Sequence, residues 1–196
     1  GIIRSSSAML YKKALRDTSP NAWLLHAVFQ ESKRLSQTVH EFLDYARPKQ
    51  PAMREVDCSQ ILQRALAFLE QECAAHEIQV TTALPETLPS QGDDDLLYRA
   101  FYNIISNALQ SMDGGGELDI SGGSEEDQIW ICIRDTGPGF DATMLDKYLE
   151  PFYTTKDQGT GLGLAIVKNI VDSHGGSLNI TNTETGAEVC IRLQAG

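Results

Sequence analysis

Apolar residues at helical spacing dominate the first quarter of the chain. The pattern predicts one helix over residues 2–16, a break at 17–20 and a longer helix that ends near Ala46. Ser19 is suited to be the N-cap of the longer helix, and Pro20 its first residue. An apolar stripe at heptad-like spacing runs along that helix, formed by Leu24, Val28, Leu35, Val39, Phe42 and Ala46. The stripe needs a partner. A second copy would supply it in a four-helix bundle, and burial against the rest of the chain is the alternative.

A proline-containing segment, residues 47–51, separates this region from one in which helices and strands mix. We therefore divide the chain into a helical hairpin, residues 1–50, and a second domain, residues 51–196. Within the second domain, helices are predicted over Asp57–His76, Asp94–Met112 and Leu162–His174, and strands over Ile78–Ala83, Glu117–Ser121, Ile129–Arg134, Ser177–Thr181 and Glu188–Leu193. The glycine-rich segment from Gly137 to Gly161 has no clear period, which is typical of a functional lid.

The net charge of the chain limits the classes of molecule that it can bind. The 196 residues include 16 Lys and Arg against 27 Asp and Glu, a formal net charge of −11, so the chain repels phosphate backbones and nucleic acid is excluded as a main partner. A nucleotide remains acceptable if a cation and local dipoles offset the repulsion. The 41% of apolar residues argues against disorder, and no apolar run approaches the length of a membrane span.

The four cysteines are scattered, at Cys58, Cys73, Cys132 and Cys190, with no C-x-x-C pair. Such spacing fits neither a zinc site nor a dense disulfide framework. We therefore expect all four to be buried, reduced thiols of a cytosolic protein.

Four short segments have polar or glycine patterns that suggest chemistry. They are Asn103–Asn107, Asp135–Phe140, Pro151–Lys156 and Gly159–Leu164. Taken singly, each has a plain structural alternative: a pair of packed amides, a turn, or a flexible loop. The last segment is neither a Walker loop, since no Gly-Lys-Ser/Thr follows, nor a dinucleotide fingerprint, since no strand leads into it.

In their order and spacing, the four segments resemble the N box, first glycine box, F box and second glycine box of sensor histidine kinases. Residues 35–48, and Phe42 to Pro48 above all, are similar to the second helix of that family's dimerisation hairpin. The residues of these motifs are most similar to those of the nitrogen-regulation type of sensor kinase. The resemblance implies an α+β fold: a helical hairpin, half of a dimeric four-helix bundle, followed by an α/β sandwich of the GHKL type.

The resemblance also implies ATP and Mg²⁺ as cofactors. The Asn107 amide oxygen is a hard neutral ligand suited to Mg²⁺, and in the family it holds the ion that bridges the phosphates. Asp135 would accept a hydrogen bond from the adenine amino group, while Gly137 and Gly139 let the backbone approach the base. Gln110, one turn after Asn107, is expected to face the phosphates.

The remaining site residues would surround the phosphates. Backbone N–H groups at the start of a helix favour phosphate binding, and they come from the second glycine box, which provides Gly159, Gly161, Leu162, Gly163 and Leu164. Thr155 and Lys156 would close over the phosphates from the lid. For Phe152, two roles stay open: contact with the ligand, or a core anchor at the base of the lid.

Position 103 separates sensor kinases from ATPases of the same superfamily. The ATPases have a glutamate there to activate water, whereas Asn103 is no base at neutral pH, so fast hydrolysis is not expected. The resemblance therefore implies phosphoryl transfer from ATP to a protein histidine and relay to the receiver domain of a response regulator. The alternatives are an anti-sigma-type serine kinase, a slow GHKL ATPase, or a nucleotide-responsive dimeric scaffold.

No catalytic histidine is assigned within the chain, because the resemblance implies that the phosphoacceptor motif lies before Gly1. His26 and His40 are poor substitutes, since neither is followed by an acid and a proline at the family's spacing. Ala187 departs from the threonine usual in the family, which predicts modest affinity for the adenine. We expect a homodimer through the hairpin, a cytoplasmic location, and contact with a membrane only through an upstream region.

Overall fold

The computed structural model describes residues 22–46, 50–112, 114–155 and 159–196. They fall into two compact units, one that contains helix α1 (Ala22–Ala46) and one that contains residues 50–196. The helix predicted over residues 2–16, the break at 17–20 and most of the proline-containing segment lie outside the described residues. Helix α1 confirms the predicted longer helix up to its end at Ala46.

Helix α1 has its apolar stripe exposed in the single chain. The exposed large apolar side chains are Trp23, Leu24, Val28, Leu35, Val39, Phe42 and Leu43. They include every stripe residue whose side chain is described. Leu35 is 59% exposed and Val39 52% exposed, so the side of the helix that carries the stripe presents apolar surface to solvent.

The second unit alternates short strands and helices, and confirms the predicted α+β class. Its elements, in chain order, are β1 (Arg54–Asp57), α2 (Cys58–Ala75), β2 (Ile78–Ala83), β3 (Pro89–Gly92), α3 (Asp94–Ser111), β4 (Gly116–Glu125), β5 (Gln128–Asp135), a 3₁₀ turn (Leu145–Leu149), α4 (Gly163–Ser173), β6 (Ser177–Asn182) and β7 (Ala187–Gln194). The predicted bounds agree within a residue or two for most of these elements, and β4 extends four residues beyond its prediction.

A five-stranded mixed sheet in the order β2-β4-β5-β7-β6 forms the base of the domain. Strands β2 and β4 are parallel, and the other neighbours are antiparallel. Strict alternation in β5 and β7 buries Ile129, Ile131 and Ile133 on one face, together with Val189 and Ile191. The three helices supply the other half of this core, with Leu62, Leu97, Phe101, Ile105 and Val167 among the fully buried residues.

A two-stranded antiparallel sheet, β1 with β3, was not predicted from the sequence. Each of its strands has four residues, too few to give a recognisable alternation. Asp57 joins this sheet to α2, because its Oδ1 accepts hydrogen bonds from Ser59 N at 2.9 Å and from Leu88 N at 3.0 Å. One carboxylate thus caps the helix and fixes the loop before β3.

The expectation of four buried, reduced cysteines is wrong for two of them. Cys132 and Cys190 are joined in a disulfide, whereas Cys58 and Cys73 are free and buried. The two bonded residues lie directly opposite each other on β5 and β7. Their separation of 58 residues left no local signal, because only the strand register brings them together.

Among the described parts of the chain, no helix combines the length and the apolar character needed to cross a bilayer.

Candidate nucleotide site

Helix α3 carries both asparagines of the first segment. Its start is fixed by Asp93, whose Oδ1 accepts from Asp95 N and Leu96 N at 3.1 Å each. The Asn103 amide donates to the Arg99 carbonyl oxygen at 2.8 Å. Asn107 lies one turn further on and is half-buried, so the structure places the two amides on one side of the helix, as their spacing predicts.

Buried His174 ties the start of α3 to the end of α4. Its Nε2 accepts from Asp93 N at 2.9 Å, and its Nδ1 lies 2.7 Å from the Ile170 carbonyl oxygen. The Nδ1–H tautomer satisfies both bonds. His174 thus has a structural role, joining two helices from a buried position.

Asp135 ends β5 and is only 7% exposed. Its Oδ1 accepts from Gly137 N at 2.9 Å, which fixes the carboxylate at the turn after the strand. A buried carboxylate is costly unless polar groups satisfy it, and a carboxylate oxygen can accept more than one hydrogen bond. The residue is therefore held in a fixed orientation and remains a suitable acceptor for a base amino group.

Two glycines bring the chain close to this turn. A methyl group at Gly186 would lie 2.1 Å from the Asp135 carbonyl oxygen, so no larger residue fits there without movement of the backbone. Gly139 has φ +75°, a left-handed conformation that glycine adopts without strain. Beside it, Asn182 holds both the N–H and the carbonyl of Phe140, at 2.8 and 2.7 Å.

The second glycine segment leads into α4. Leu162 is the N-cap, and its apolar side chain accepts no hydrogen bond from the first turn. The backbone N–H groups of that turn therefore have no partner within the cap, which is the condition for binding an anion at a helix start. The side chains of Leu162 and Leu164 are buried, so these two residues can contribute to a site only through their backbones.

A backbone hydrogen bond joins two residues of the lid, Phe152 and Gly161. Phe152 N donates to the Gly161 carbonyl at 2.9 Å, and both residues have left-handed φ values, +68° and +66°. A methyl group at Gly161 would lie 2.5 Å from the Phe152 carbonyl carbon. The Phe152 ring is 59% exposed, so the interpretation of Phe152 as a core anchor is wrong.

The base of the lid is organised by other aromatic rings. Tyr148 lies 4.8 Å from Phe140 and 5.1 Å from Tyr153, ring centre to ring centre, in edge-to-face contacts. The Tyr153 hydroxyl also lies 3.1 Å from the Met144 sulfur. Two hydrogen bonds from Thr143 lower the pKa of Asp141, which keeps that carboxylate charged at the same corner.

Helix α3 brings the two glycine segments together. At its C-terminal end, a methyl group at Gly137 would lie 2.7 Å from the Ser111 hydroxyl oxygen. In its middle, a methyl group at Gly163 would lie 3.7 Å from Asn103 Oδ1. Gln110 is exposed on the same helix, and its amide donates to Ser106 Oγ at 3.2 Å.

Of the two lid residues expected to cover the phosphates, the structure describes only Thr155. Thr155 is exposed and is the last described residue before 156–158, and the description resumes at Gly159. Lys156, expected to close over the phosphates, lies outside the described residues.

Sequence reasoning missed several residues that shape the site. Ser111, Asn182 and Gly186 hold the turn after Asp135, and only the fold brings them there. Thr136 belongs to the same group, because its hydroxyl accepts from Glu117 N at 2.9 Å and fixes the end of β5. The sequence offers little to find them, because a threonine before a glycine, such as Thr136, is too common to single out a site, and Ser111 and Asn182 lack even that signal.

Comparison with known proteins gives the family of this domain. The sequence profile of the histidine kinase-, DNA gyrase B-, and HSP90-like ATPases matches residues 92–196, which include all four segments. The matched region runs from the end of β3 to the C-terminal residue of the chain.

Curated relatives include a sensor histidine kinase and a nitrogen regulation protein. The chain is 33% identical over 162 residues to the sensor histidine kinase ZraS of Escherichia coli K12, covering 82% of this chain and 35% of the relative. It is 30% identical over 167 residues to the nitrogen regulation protein NtrY of Azorhizobium caulinodans, covering 81% and 21% respectively. The chain therefore spans about a third or less of the length of these two relatives.

Solved structures share the fold. One is the histidine kinase ThkA in complex with the response regulator protein TrrA, with a TM-score of 0.77 and 22% identity. The similarity covers 99% of this chain and 57% of that one.

Proposed function

Because the chain belongs to the histidine kinase-, DNA gyrase B-, and HSP90-like ATPase family, we propose that residues 51–196 are the Mg-ATP-binding domain of a two-component sensor histidine kinase. The reaction is transfer of the γ-phosphoryl group of ATP to a protein histidine. Its principal support is the position of helix α3, which contacts the turn after Asp135 at one point and the start of α4 at another.

Asp135 selects the base. Its Oδ1 is held by Gly137 N, so the carboxylate has a fixed direction in which to accept the amino group of adenine. Guanine has a carbonyl at the corresponding position, and two acceptors facing each other would repel. The close approach of Gly186 leaves room for the backbone but not for a side chain on that side of the turn.

Asn107 fits the metal role. Its amide oxygen is a neutral hard donor on the side of α3 that carries Asn103, and Mg²⁺ prefers oxygen ligands with several waters retained. Bound Mg²⁺ would neutralise phosphate charge, which a chain of net charge −11 cannot do by itself. Gln110 lies one turn beyond and would donate to phosphate oxygens.

The start of α4 would hold the phosphates. The backbone N–H groups of its first turn receive no hydrogen bond from a capping side chain, so they would be available to phosphate oxygens. Thr155 and Lys156, on the lid, would then cover the phosphates and exclude water. Catalysis in this proposal is positioning and charge stabilisation rather than covalent chemistry by the domain.

Asn103 disfavours hydrolysis. Its amide nitrogen is already bonded to the Arg99 carbonyl, and an amide does not take a proton from water at neutral pH. A water molecule near the γ-phosphate would therefore lack a base, and the phosphoryl group would persist until an acceptor histidine reaches it. This argues against the slow-ATPase alternative as the main activity.

The partners follow from the same proposal. A second copy would cover the exposed stripe of α1, which gives a homodimer, and the receiver domain of a response regulator would take the phosphoryl group. ThkA, whose fold this chain shares, was solved with the response regulator TrrA. We place the reaction in the cytoplasm, where ATP and receiver domains meet.

The test uses γ-labelled ATP, Mg²⁺ and a nucleotide-binding-deficient sensor kinase of the nitrogen-regulation type that retains its acceptor histidine. We expect label on that partner and none on the present chain. Asn107→Ala should abolish the transfer, while Asn179→Ala, on an exposed position of β6, should not. Label on the present chain would implicate His26 or His40. Label on serine, or rapid release of phosphate, would favour the serine kinase or the ATPase, and nucleotide binding without turnover would favour the scaffold.

A further inference from the structure

The outer face of the sheet carries an unusual covalent link. Three cross-strand pairs lie side by side on that face of β5 and β7: Trp130 with Arg192, Cys132 with Cys190, and Arg134 with Glu188. The two cysteines are bonded, with their Cα atoms 4.1 Å apart. Both are half-buried, so the sulfur atoms lie on the solvent side of the sheet rather than in the core.

We propose that Cys132 and Cys190 form a reversible dithiol–disulfide site, whose oxidation state sets the rigidity of the strand pair that ends at Asp135. The redox chemistry is independent of any activity of the domain. Its effect on nucleotide binding rests on the proposed function.

The other two cysteines are unsuited to such chemistry. Cys58 is fully buried, and burial, with a smaller contribution from Asp57, raises the pKa of its thiol to about 12. Burial raises the pKa of Cys73 as well. Only the thiolate attacks a disulfide, so these two residues remain inert and serve as internal controls.

The surroundings of the pair favour exchange. Its register neighbours on β4 and β6 are Ser121 and Asn179, which are neutral. The guanidinium groups of Arg134 and Arg192 belong to the adjacent pairs on either side, at sequence positions two from the cysteines. Each guanidinium is paired with a carboxylate, Arg134 with Glu188 at 2.8 Å and Arg192 with Glu125 at 3.4 Å, so the local charge is balanced. Exchange is favoured instead by the half-buried position of both cysteines, which gives an attacking thiolate access to the sulfur atoms.

A dithiol can reduce the Cys132–Cys190 disulfide by two successive thiol–disulfide exchanges. One thiolate of the reductant attacks Cys132 Sγ or Cys190 Sγ, the Cys132–Cys190 bond breaks, and a mixed disulfide forms. The second thiol of the reductant then displaces the protein sulfur. Two electrons and two protons pass to the protein, which holds two thiols, and the reductant leaves as its own disulfide. Oxidised glutathione reverses the reaction in two steps.

The link lies close to the nucleotide site along the chain. Cys132 precedes Asp135 by three residues, Cys190 follows Ala187 by three, and Asp135 and Ala187 are themselves paired in the ladder. Reduction leaves only hydrogen bonds and side-chain packing to hold the ends of β5 and β7 together. The carboxylate of Asp135 then loses part of its fixed position, and nucleotide affinity falls.

The first measurement equilibrates the native chain with defined ratios of reduced to oxidised glutathione, followed by alkylation and peptide mass spectrometry. The buffer contains a chelator, because possible ligand atoms of Cys132, Glu188 and Cys190 all lie within 4.8 Å of one another and could hold a metal ion after reduction. We expect Cys132 and Cys190 to be alkylated together as the ratio rises, with Cys58 and Cys73 protected. A pair that stays bonded until the protein is denatured, or that never closes in oxidised glutathione, would overturn the proposal.

The second measurement compares ADP affinity of the two forms by calorimetry. We expect reduction to raise the dissociation constant about fivefold, at the lower end of the range for coupled sites. Cys73→Ala should keep this dependence, and Cys190→Ser should bind like the reduced form in every buffer. Equal ADP affinity of the oxidised and reduced forms would overturn the proposal that the oxidation state of the cysteine pair controls nucleotide binding. Absence of ADP binding in both forms would instead overturn the proposed function, with the alkylation result still deciding the redox chemistry.

Discussion

Helices α1 and α3 have similar amphipathic patterns and opposite burial. In α3 the apolar side is enclosed, and Leu97 and Phe101 are both 0% exposed. In α1 the apolar side is open, and Leu35 is 59% exposed. Periodicity therefore predicts that a helix has a side to bury but does not say what covers it. For α3 the answer is the helices and sheet of its own domain. For α1 we propose a second copy of the chain.

The largest difference should appear on truncation of one phenylalanine in each helix. Phe101→Ala removes a fully buried ring and leaves a cavity, so we expect it to lower the free energy of unfolding by about 3–5 kcal/mol. Phe42→Ala, at a residue 46% exposed, should change the unfolding of the second unit by less than about 0.5 kcal/mol. Urea denaturation monitored by fluorescence measures both. Equal losses would mean that the stripe of α1 is already buried in the single chain.

A charge in the stripe of α1 should act on association instead. Val39→Asp would place a carboxylate in the proposed apolar interface, and we expect the dimer to weaken by about 3 kcal/mol. The matched control is Gln30→Asp, an exposed position on the other side of the helix. Sedimentation equilibrium should show a monomer for the first variant and a dimer for the second. A wild-type chain that is monomeric at tens of micromolar would refute the dimer proposal.

The site predictions apply to the enclosed helix and its neighbours, not to α1. Asp135→Ala should weaken ATP and ADP alike by about 1.5–3 kcal/mol, because both would lose a charge-assisted bond to adenine. Asp119→Asn, exposed on β4, is the control, and Leu35→Ala on α1 should also leave affinity unchanged. An ADP affinity that does not move in Asp135→Ala would remove the adenine assignment.

The smallest effect should come from the cap of α3. Burial alone would raise the pKa of Asp93, but bonds from the N–H groups of Ala52, Leu96 and Asp95, with His174 nearby, outweigh it and lower the pKa. A lowered pKa in the folded state stabilises the protein above the ordinary value of 3.8, and this stabilisation is lost as the pH falls through the lowered value.

Asp93→Ala should therefore cost about 1 kcal/mol at neutral pH, and less in acid. Denaturation curves across the acid range measure the difference, with Asp127→Ala, exposed in the turn between β4 and β5, as the control. A loss that stays constant with pH would show that the carboxylate charge contributes nothing to the cap.

Much of the fold was predictable because its signals are local. Asp57 was predicted as the start of a helix and is the residue that caps it, and β5 was predicted within one residue at each end. The family match confirms the resemblance drawn from four short segments, since their order is specific although each segment alone is not. The role of each site residue remains a prediction.

The features that were missed depend on strand register and on tertiary approach. Cys132 and Cys190 meet only because β5 and β7 pair in one register, and a shift by one residue would turn the two side chains to opposite faces. Gly186 was not singled out from the sequence, yet it lies against the backbone of Asp135. Phe152 is exposed and has a left-handed backbone conformation, and no local sequence pattern predicts either feature for a phenylalanine.

The most direct test of the central claim is a calorimetric titration of the chain with a non-hydrolysable ATP analogue, with and without Mg²⁺. The account predicts binding that is strengthened by Mg²⁺, loss of that strengthening in Asn107→Ala, and its retention in Asn179→Ala. Binding that is independent of Mg²⁺, or an Asn107→Ala variant that responds to Mg²⁺ as the parent does, would contradict the metal assignment. Absence of binding in the folded parent chain would contradict the account as a whole.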